Sequence, residues 1–233
     1  MQDSVPRYAL YYAPEPESAL WRFGSAVIGY DALQGQDLAA PDFAGILAQR
    51  WRELTAEPRK YGFHATLKAP FHLATGVDEA ALLAALRKFA GDAKPAALEG
   101  LSVASIGPFL AFRPMGDATA LNALASEIVR HFDPFRAPLS PSDRERRLKS
   151  PLTERQTDYL DRFGYPYVHE EFRFHMTLSG PLHADDRDVM LTLLKQASLN
   201  QIDSLPKAVN RIALFKQDHA TARFRIIDSV DLA

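Results

Sequence analysis

Two short segments of the sequence carry histidine and threonine side chains in the same spacing. His64-Ala65-Thr66-Leu67 recurs as His175-Met176-Thr177-Leu178, and the two copies are 111 residues apart (175 − 64). Residues i and i+2 of a strand share one face, so each copy is expected to place an imidazole beside a hydroxyl. An imidazole has an ordinary pKa of about 6.5 and can give or take a proton near neutral pH. The doubled pattern therefore predicts general acid–base catalysis by His64 and His175.

In-line displacement at phosphorus is the reaction that suits such a pair of histidines best. One imidazole can deprotonate the attacking water while the other protonates the departing alkoxide, and each proton transfer typically contributes about 10²–10⁴-fold. The hydroxyls of Thr66 and Thr177 can donate hydrogen bonds to the non-bridging oxygens. This chemistry needs no metal ion, so neither a metal site nor another cofactor is predicted.

The repeat extends well beyond the two motifs. Phe63 to His72 aligns with Phe174 to His183 at the same offset. The order strand, helix, helix, motif strand, helix, strand occurs twice along the chain. We therefore expect residues 1–233 to form one bilobed α+β domain with approximate halves 1–106 and 107–233. Its two small, mostly antiparallel sheets are expected to face each other across a central cleft, with the helices on the outside.

The elements that must position the motifs are predicted from periodicity. Apolar residues recur about every 3.6 positions in the helical segments and alternate in the strands. The predicted helices cover 17–28, 43–54, 78–89, 120–131, 153–163 and 185–197, and the predicted strands besides the motifs cover 8–12, 98–106, 109–113, 209–215 and 223–230. Residues 133–151 are rich in proline, serine and charge, which predicts a long loop.

Strand alternation also predicts which other side chains reach the substrate. Lys68 and Arg173 share the parity of their motif histidines, so each lobe is expected to bring one cation to the anion-binding face. Tyr12 and Arg113 occupy equivalent positions in the strands that open the two halves, and both are expected to face the same groove. The predicted substrate-binding residues are Thr66, Thr177, Arg173, Lys68, Tyr12 and Arg113.

Three further sets of residues each have two possible roles. The basic residues of the predicted loop either bind a second phosphate or an RNA end, or are simply solvated. Several tyrosines either stack on a base or belong to the core. His72 and His183 also repeat, but eight residues and a proline separate them from the motif histidines, which favours strand ends over a metal site. The basic residues are Arg144, Arg146, Arg147 and Lys149, and the tyrosines are Tyr11, Tyr12, Tyr165 and Tyr167.

Composition excludes several classes of function. Of the 233 residues, 47% are hydrophobic and 24% are charged, which is typical of a globular protein and excludes a disordered or collagen-like chain. The net charge of −2 provides no bulk positive field for duplex DNA or an anionic membrane. The chain has no cysteine, so disulfides and thiolate chemistry are excluded. Without an apolar run of about 20 residues or a signal-like start, we expect a cytoplasmic protein.

The doubled motif resembles that of the 2H phosphoesterase superfamily, which includes RNA ligase/cyclic nucleotide phosphodiesterase-like proteins. Longer sequence segments resemble the DUF1045 family, whose members are labelled as phosphonate metabolism proteins. This resemblance spans nearly the whole chain. These segments are Arg7 to Pro14, the first motif with Lys68 to Phe71, Pro151 to Thr153, Phe163 to Val168, and Phe172 to His175. The resemblance implies metal-independent opening of a cyclic phosphodiester on a ribose-like diol, such as a 2′,3′-cyclic nucleotide or a ribosyl cyclic phosphate.

The same resemblance implies catalytic roles for His64 and His175 and phosphate binding by Thr66 and Thr177. A small phosphorylated metabolite or nucleotide is then the expected partner, with RNA ends as a further possibility. The alternative is a non-catalytic module that binds nucleotides or RNA ends in the same cleft. Catalysis is favoured because binding alone does not require two proton-transfer groups.

Overall fold

The computed structural model describes residues 5–41 and 46–233. The elements up to residue 106 are β1 (Arg7–Tyr12), α1 (Ala19–Ile28), β2 (Tyr30–Asp31), β3 (Gln36–Asp37), α2 (Ala48–Leu54), α3 (Ala56–Arg59), β4 (Ala65–Phe71), α4 (Glu79–Asp92), β5 (Ala96–Ala97) and β6 (Leu101–Ile106). The later elements are β7 (Phe109–Pro114), α5 (Thr119–Phe132), α6 (Pro141–Leu148), α7 (Glu154–Phe163), β8 (Met176–Thr177), α8 (Ala184–Gln201), β9 (Ala208–Val209), β10 (Arg211–Gln217) and β11 (Arg225–Asp231), with 3₁₀ turns at Asp133–Phe135 and His169–Glu171.

Local capping explains where the main helices begin. The Asp78 side chain accepts a hydrogen bond from the Ala81 N–H at the start of α4, and Thr153 forms a capping box with Gln156 at the start of α7. The predicted helix over 43–54 corresponds to α2, and the Phe43 end of that prediction lies outside the described residues. Within the described ranges, no helix is both long and apolar enough to cross a membrane.

A seven-stranded antiparallel sheet forms the centre of the molecule. Its strand order is β11-β10-β1-β4-β8-β7-β6, and the two motif strands β4 and β8 are neighbours in it. The expected α+β class is therefore confirmed. The two expected sheets, however, are joined into one, because Ala65 of β4 pairs directly with Met176 of β8. The two motifs thus meet on one sheet.

Each half of the chain gives its last long strands to the other half. β6, at the end of the first half, pairs with β7, while β10 from the second half pairs with β1. The hairpin between β6 and β7 turns at Gly107, whose φ of 56° is in the left-handed region that glycine adopts readily. The divide at 106/107 therefore separates two repeats in sequence but not two sheets in space.

One face of the motif strands is packed into the core. Ala65 and Met176 are fully buried, as is Phe112 opposite Met176 on β7. Phe23 of α1 packs against Phe112 with ring centroids 6.0 Å apart. Helix α5 also packs against β4. The other face of the motif strands is left to the functional side chains, since residues alternate between the two faces.

The segment expected to be a long loop contains a helix. Ser140 caps α6 by accepting a hydrogen bond from the Asp143 N–H, and Pro141 occupies the first helical turn, where a missing N–H costs nothing. No residue of α6 is fully buried, and the helix therefore lacks the periodic apolar residues by which helices are predicted from sequence. The loop prediction for 133–151 was wrong because capping and tertiary contacts, rather than apolar periodicity, define this helix.

Candidate active site

The motif side chains converge through the pairing of β4 with β8. Since Ala65 and Met176 are directly paired, their neighbours in sequence lie on the opposite face of the sheet. The antiparallel register places His64 opposite Thr177 and Thr66 opposite His175. Directly opposed residues have Cβ atoms about 4.5–5.5 Å apart, and diagonal ones about 7–8 Å. The two imidazoles are such a diagonal pair, and the two hydroxyls lie between them.

His64 is held by contacts on both ring nitrogens and on its face. Its Nδ1 lies 2.8 Å from the Gly62 carbonyl oxygen, which can only accept, so Nδ1 carries the proton and donates. Its Nε2 lies 3.2 Å from Thr66 Oγ1, and the Tyr11 ring stacks on the imidazole at 3.7 Å. Burial lowers the pKa of His64 to about 4. The resting state is therefore a neutral ring with an unprotonated Nε2 directed toward Thr66.

The turn before His64 requires glycine at position 62. Gly62 has φ of +81°, and a Cβ there would lie 2.4 Å from the Cβ of Ala32. Only a glycine fits this conformation and this approach without displacing its neighbours. The carbonyl that orients His64 is therefore fixed by the backbone.

His175 repeats the arrangement of His64. Its Nδ1–H donates to the Arg173 carbonyl oxygen at 2.7 Å, again two residues upstream. Burial lowers the pKa of His175, and the positive charge of Arg113 lowers it further. In both motifs the i to i−2 hydrogen bond selects the tautomer in which Nε2 has the lone pair.

A cavity of about 400 Å³ opens over this face of the sheet. Polar groups from both motifs line it, together with three tyrosine rings and two arginines. The lining comprises Arg7, Tyr11, Glu57, Pro58, Tyr61, His64, Thr66, Ala69, Pro70, Phe109, Arg147, Tyr165, Thr177, Ser179, Gly180 and Pro181. This volume and mixed lining are typical of a site for a small molecule.

Lys68 does not reach this cavity, contrary to the prediction. Leu10 of β1 pairs with Lys68 and Tyr11 pairs with Thr66, so Leu67 is an extra residue that forms a bulge. The bulge shifts the alternation, and Lys68 turns to the face covered by α5. There its Nζ lies 3.4 Å from Asp133 Oδ1, and only 3% of the residue is exposed. Strand parity failed here because one inserted residue reverses it.

Arg173 contributes its carbonyl, rather than its guanidinium, to the site. Its Nη1 donates to the carbonyl oxygens of Glu170 and Phe172, both at 2.7 Å, on the exposed surface beside a 3₁₀ turn. The predicted contact between the Arg173 cation and substrate is therefore wrong. Residues 172–175 precede β8 and are not in a regular strand, so the alternation used for the prediction does not extend to them.

The tyrosine of β1 that faces the cavity is Tyr11, and Tyr12 points the other way. Tyr12 pairs with Ala65 on the core face, is 1% exposed and packs near Phe174. The predicted substrate contact of Tyr12 is therefore wrong by one position. Tyr165 also lines the cavity, whereas Tyr167 is outside the lining and 42% exposed.

Arg113 lies beside the second motif but is not among the residues that line the cavity, so its contact with substrate stays a prediction. The pairing of Phe112 with Met176 continues to Arg113 opposite His175, on the same face of the sheet. Its side chain is exposed, and its charge acts on the pKa of His175. Phe109 lies four residues before Arg113 on β7, and its ring centroid is 5.7 Å from that of His175.

The other repeated histidines are separate from the motif pair. The Nδ1–H of His72 donates to the Pro6 carbonyl oxygen at 2.9 Å, and His183 precedes the first turn of α8. In the parts of the chain that the structure describes, no group of three or more His, Asp or Glu side chains is arranged to hold a metal ion.

Two arginines line the cavity: Arg7, which was not among the predicted site residues, and Arg147, which was one of four basic residues with either a phosphate-binding or a solvated role. Arg7 is held by Gln217, whose Oε1 accepts from Arg7 Nε at 2.7 Å. Arg147 reaches the cavity from α6, where its guanidinium lies 5.2 Å from the centre of the Tyr165 ring. The basic cluster at 144–149 was a signal for Arg147, but sequence alone did not separate this residue from its solvated neighbours.

Comparisons with known proteins identify related chains. The model of the family described as "Protein of unknown function (DUF1045)" matches residues 66–225. A protein named "Ribose 1,5-bisphosphate phosphokinase PhnN" from Janthinobacterium sp. (strain Marseille) is 35% identical over 225 residues, which are 95% of this chain and 50% of that protein. One of the same name from Laribacter hongkongensis (strain HLHK9) is 36% identical over 223 residues, 94% of this chain and 50% of that protein.

The chain thus spans about half the length of these curated relatives. Among solved structures, the crystal structure of E. coli LigT complexed with 3′-AMP matches with a TM-score of 0.40 and 14% sequence identity. That match covers 98% of this chain and 99% of the other.

Proposed function

The chain belongs to the DUF1045 family, and we propose that it is a metal-independent phosphoesterase that opens a cyclic phosphodiester by two-histidine acid–base catalysis. One observation carries this proposal. His64 and His175 lie diagonally on one sheet face beside Thr66 and Thr177, and each ring leaves its Nε2 free of backbone partners. A phosphorus atom between the two rings would have a proton acceptor on one side and a proton donor on the other.

The proposed reaction is a hydrolysis with one proton taken and one returned. A water oxygen attacks phosphorus while its proton passes to Nε2 of one imidazole, and a new O–P bond forms. The opposite ester bond breaks, and its alkoxide takes a proton from Nε2 of the other imidazole. Thr66 and Thr177 donate hydrogen bonds to the non-bridging oxygens, whose charge is redistributed in the transition state. The product is a phosphomonoester beside a free hydroxyl.

We assign the base to His64 and the acid to His175. A general base must begin neutral, and the pKa of about 4 keeps His64 neutral throughout the physiological range. The acid must begin charged, and a bound phosphate anion raises the pKa of a neighbouring imidazole. Among the described rings, Tyr11 stacks on His64 at an interplanar angle of 16°, whereas Phe109 is tilted by 48° against His175, and we propose that this leaves the face of His175 more open to a substrate anion.

The proposed substrate is a cyclic phosphate on a ribose-like diol, either a 2′,3′-cyclic nucleotide or a ribosyl cyclic phosphate. The names of the curated relatives contain a phosphorylated ribose, which supports a ribosyl group. Phosphoryl transfer from a nucleoside triphosphate is not proposed for this chain, because its sequence has no Gly-x-x-x-x-Gly-Lys segment. A role in phosphonate metabolism is part of this proposal, supported by the names of the curated relatives.

Incubation with 2′,3′-cyclic adenosine monophosphate in excess chelator tests the proposal. We expect conversion to the monoester, with a loss of at least about 10²-fold in kcat for His64→Ala and for His175→Ala. His72→Ala is the matched control, since this repeated histidine lies outside the cavity, and it should retain the wild-type rate.

Two outcomes would contradict the proposed two-histidine catalysis. Turnover that vanishes with chelator but not with the histidine variants would indicate metal chemistry. Tight binding without turnover of cyclic nucleotides or ribosyl cyclic phosphates would favour the alternative of a non-catalytic module that binds nucleotides or RNA ends.

A further inference from the structure

Arg147 presents an unpaired cation to the wall of the cavity. Its Nε is buried and has no hydrogen-bond partner among the described residues, and its guanidinium packs over the Tyr165 ring. Burial lowers the pKa of Arg147. A guanidinium withdrawn from water without a carboxylate or carbonyl partner is costly, and such groups are normally paired. A ligand in the cavity could therefore supply the hydrogen-bond acceptor that the Arg147 guanidinium lacks.

Three charged neighbours of Arg147 on α6, Asp143, Arg144 and Arg146, are paired with each other or with α7. Arg144 forms a two-pronged ion pair with Asp161, at 2.6 and 3.0 Å. Arg146 pairs with Asp143 at 2.5 Å, and Asp143 also accepts from Ser140 Oγ at 2.8 Å. The acidic residue of the cavity lining, Glu57, is paired with Lys60 at 2.8 Å. Among the described residues, no carboxylate forms an ion pair with the Arg147 guanidinium, although the charge of Asp143 acts on its pKa.

Arg147 and His64 both line the cavity, and each reaches it from a different element: Arg147 from α6 over the Tyr165 ring, and His64 at the start of β4 against the Tyr11 ring. The charge that acts on the pKa of His64 is that of His175, and the charge that acts on His175 is that of Arg113. The charged and phenolic groups that act on Arg147 belong to α6 and to two cavity tyrosines, Tyr61 and Tyr165. The cation of Arg147 and the His64–Thr66 pair thus belong to the lining of one 400 Å³ cavity, beside different tyrosine rings.

We infer that Arg147 binds a second anionic group of the substrate, a phosphomonoester remote from the phosphorus that reacts. The inference rests on the proposed function for the placement of the reacting phosphate between the histidines. The planar guanidinium fork matches phosphate oxygens in bidentate fashion, and its packing on Tyr165 fixes its orientation before the ligand arrives. The substrate class is then a ribose derivative that carries a cyclic phosphodiester at one end and a terminal phosphate at the other.

Binding measurements separate this inference from the catalytic proposal. Adenosine 3′-monophosphate and adenosine 3′,5′-bisphosphate differ only in the terminal phosphate and require no turnover. We expect the wild-type protein to bind the bisphosphate about 10- to 100-fold more tightly, as for a charge-assisted bidentate contact. Arg147→Gln should bind both ligands equally, with its affinity for the monophosphate within about twofold of wild type. Isothermal titration calorimetry at constant ionic strength measures all four affinities.

Arg146→Gln is the matched control, since it removes an exposed cation from the adjacent position of the same helix. It should retain the wild-type preference for the bisphosphate, and Arg147→Lys should retain part of it. The inference is overturned if the wild-type protein binds both ligands equally, or if Arg147→Gln weakens both to the same extent. Equal binding of the two ligands by the wild-type protein overturns the inference even if the Arg147 variants do not fold.

Turnover distinguishes the two proposals. His64→Ala should abolish hydrolysis yet keep the preference for the bisphosphate. If no cyclic phosphate is hydrolysed but the preference depends on Arg147, the catalytic proposal fails and the anion subsite stands. If hydrolysis occurs with no preference for a terminal phosphate, the subsite fails and the catalytic proposal stands.

Discussion

At the scale of single residues, the two motif histidines are prepared for their roles by the backbone rather than by other side chains. Each Nδ1–H donates to a carbonyl two residues upstream, at Gly62 and at Arg173. Each carbonyl fixes the tautomer and on its own raises the pKa of the ring that it accepts from, but it carries no full negative charge as a carboxylate does. Burial is then the dominant influence, and it lowers the pKa of both rings. The free protein therefore holds two neutral imidazoles at pH 7.

These pKa directions predict an acid-shifted activity profile. The proposed acid His175 must carry a proton, and its pKa is below the ordinary 6.5, so kcat/KM should fall as the pH rises through that pKa. The proposed base His64 must be neutral, so kcat/KM should fall again below about pH 4. We expect a bell whose maximum lies below pH 6.5. A cyclic diester without a terminal phosphate is the substrate to use, because a phosphomonoester titrates near pH 6 itself.

The profile would be measured from pH 3.5 to 9 with the protein shown to be folded at each pH. An NMR titration of the imidazole protons provides an independent check, since His64 should titrate near pH 4 and His72→Ala should leave that titration unchanged. A flat profile between pH 5 and 9, or a maximum above pH 8, would contradict the assignment of the two roles.

At the scale of elements, the bulge in β4 decides which side chains belong to the site. Thr66 before the bulge faces the cavity, whereas Lys68 after it faces α5 and Asp133. Arg136 also contacts Asp133, with Nε 2.9 Å from Oδ1, so the carboxylate is neutralised without Lys68. The ammonium group of Lys68 is therefore a buried cation that neither the cavity nor Asp133 requires.

We predict that Lys68→Met leaves turnover within about twofold of wild type. Burial lowers the pKa of Lys68 to about 8, while the unfolded chain keeps the ordinary value near 10.5. Between these values the unfolded state binds more protons, so the free energy of unfolding of the wild type should rise with pH. Relative to the variant, the rise between pH 7 and 10 should be about 2 kcal/mol.

Urea unfolding of both proteins at pH 7, 8.5 and 10 gives this difference. Lys60→Met is a suitable control, because that lysine is exposed and pairs with Glu57 at the surface. A large loss of kcat/KM in Lys68→Met would restore Lys68 to the substrate site and refute the role of the bulge.

The limits of the sequence prediction lie at this same scale. Period-2 alternation correctly grouped His64 with Thr66 and His175 with Thr177, because each pair lies within one short extended segment. It failed at Lys68 and Arg173, where a bulge and an irregular turn interrupt the strand. It also left Arg147 unassigned, since a polar helix capped by Ser140 has little apolar periodicity to reveal which face points inward.

At the scale of the whole molecule, the two repeats are interlocked rather than stacked. β1 of the first repeat pairs with β10 of the second, β6 pairs with β7, β4 with β8, and β5 with β9. The motif pair exists only where the repeats join, because His64 and His175 belong to different repeats. Because strands of the two repeats pair with each other, unfolding of one repeat would leave backbone N–H and C=O groups of the other repeat without hydrogen-bond partners. The site and the cooperativity of folding thus have the same structural basis.

This interlocking predicts a single unfolding transition for a chain larger than most two-state domains. Both tryptophans, Trp21 and Trp51, are buried in the first repeat, whereas helical circular dichroism reports on both repeats. We expect the two signals to give the same midpoint in urea.

Leu194→Ala in α8 removes a fully buried side chain of the second repeat and should lower the free energy of unfolding by about 2–5 kcal/mol. Because the repeats share strands, the tryptophan signal should shift by the same amount as the circular dichroism. Leu199→Ala, at a 78% exposed position of the same helix, should shift neither. A tryptophan transition that stays at the wild-type midpoint in Leu194→Ala would mean that the repeats unfold independently.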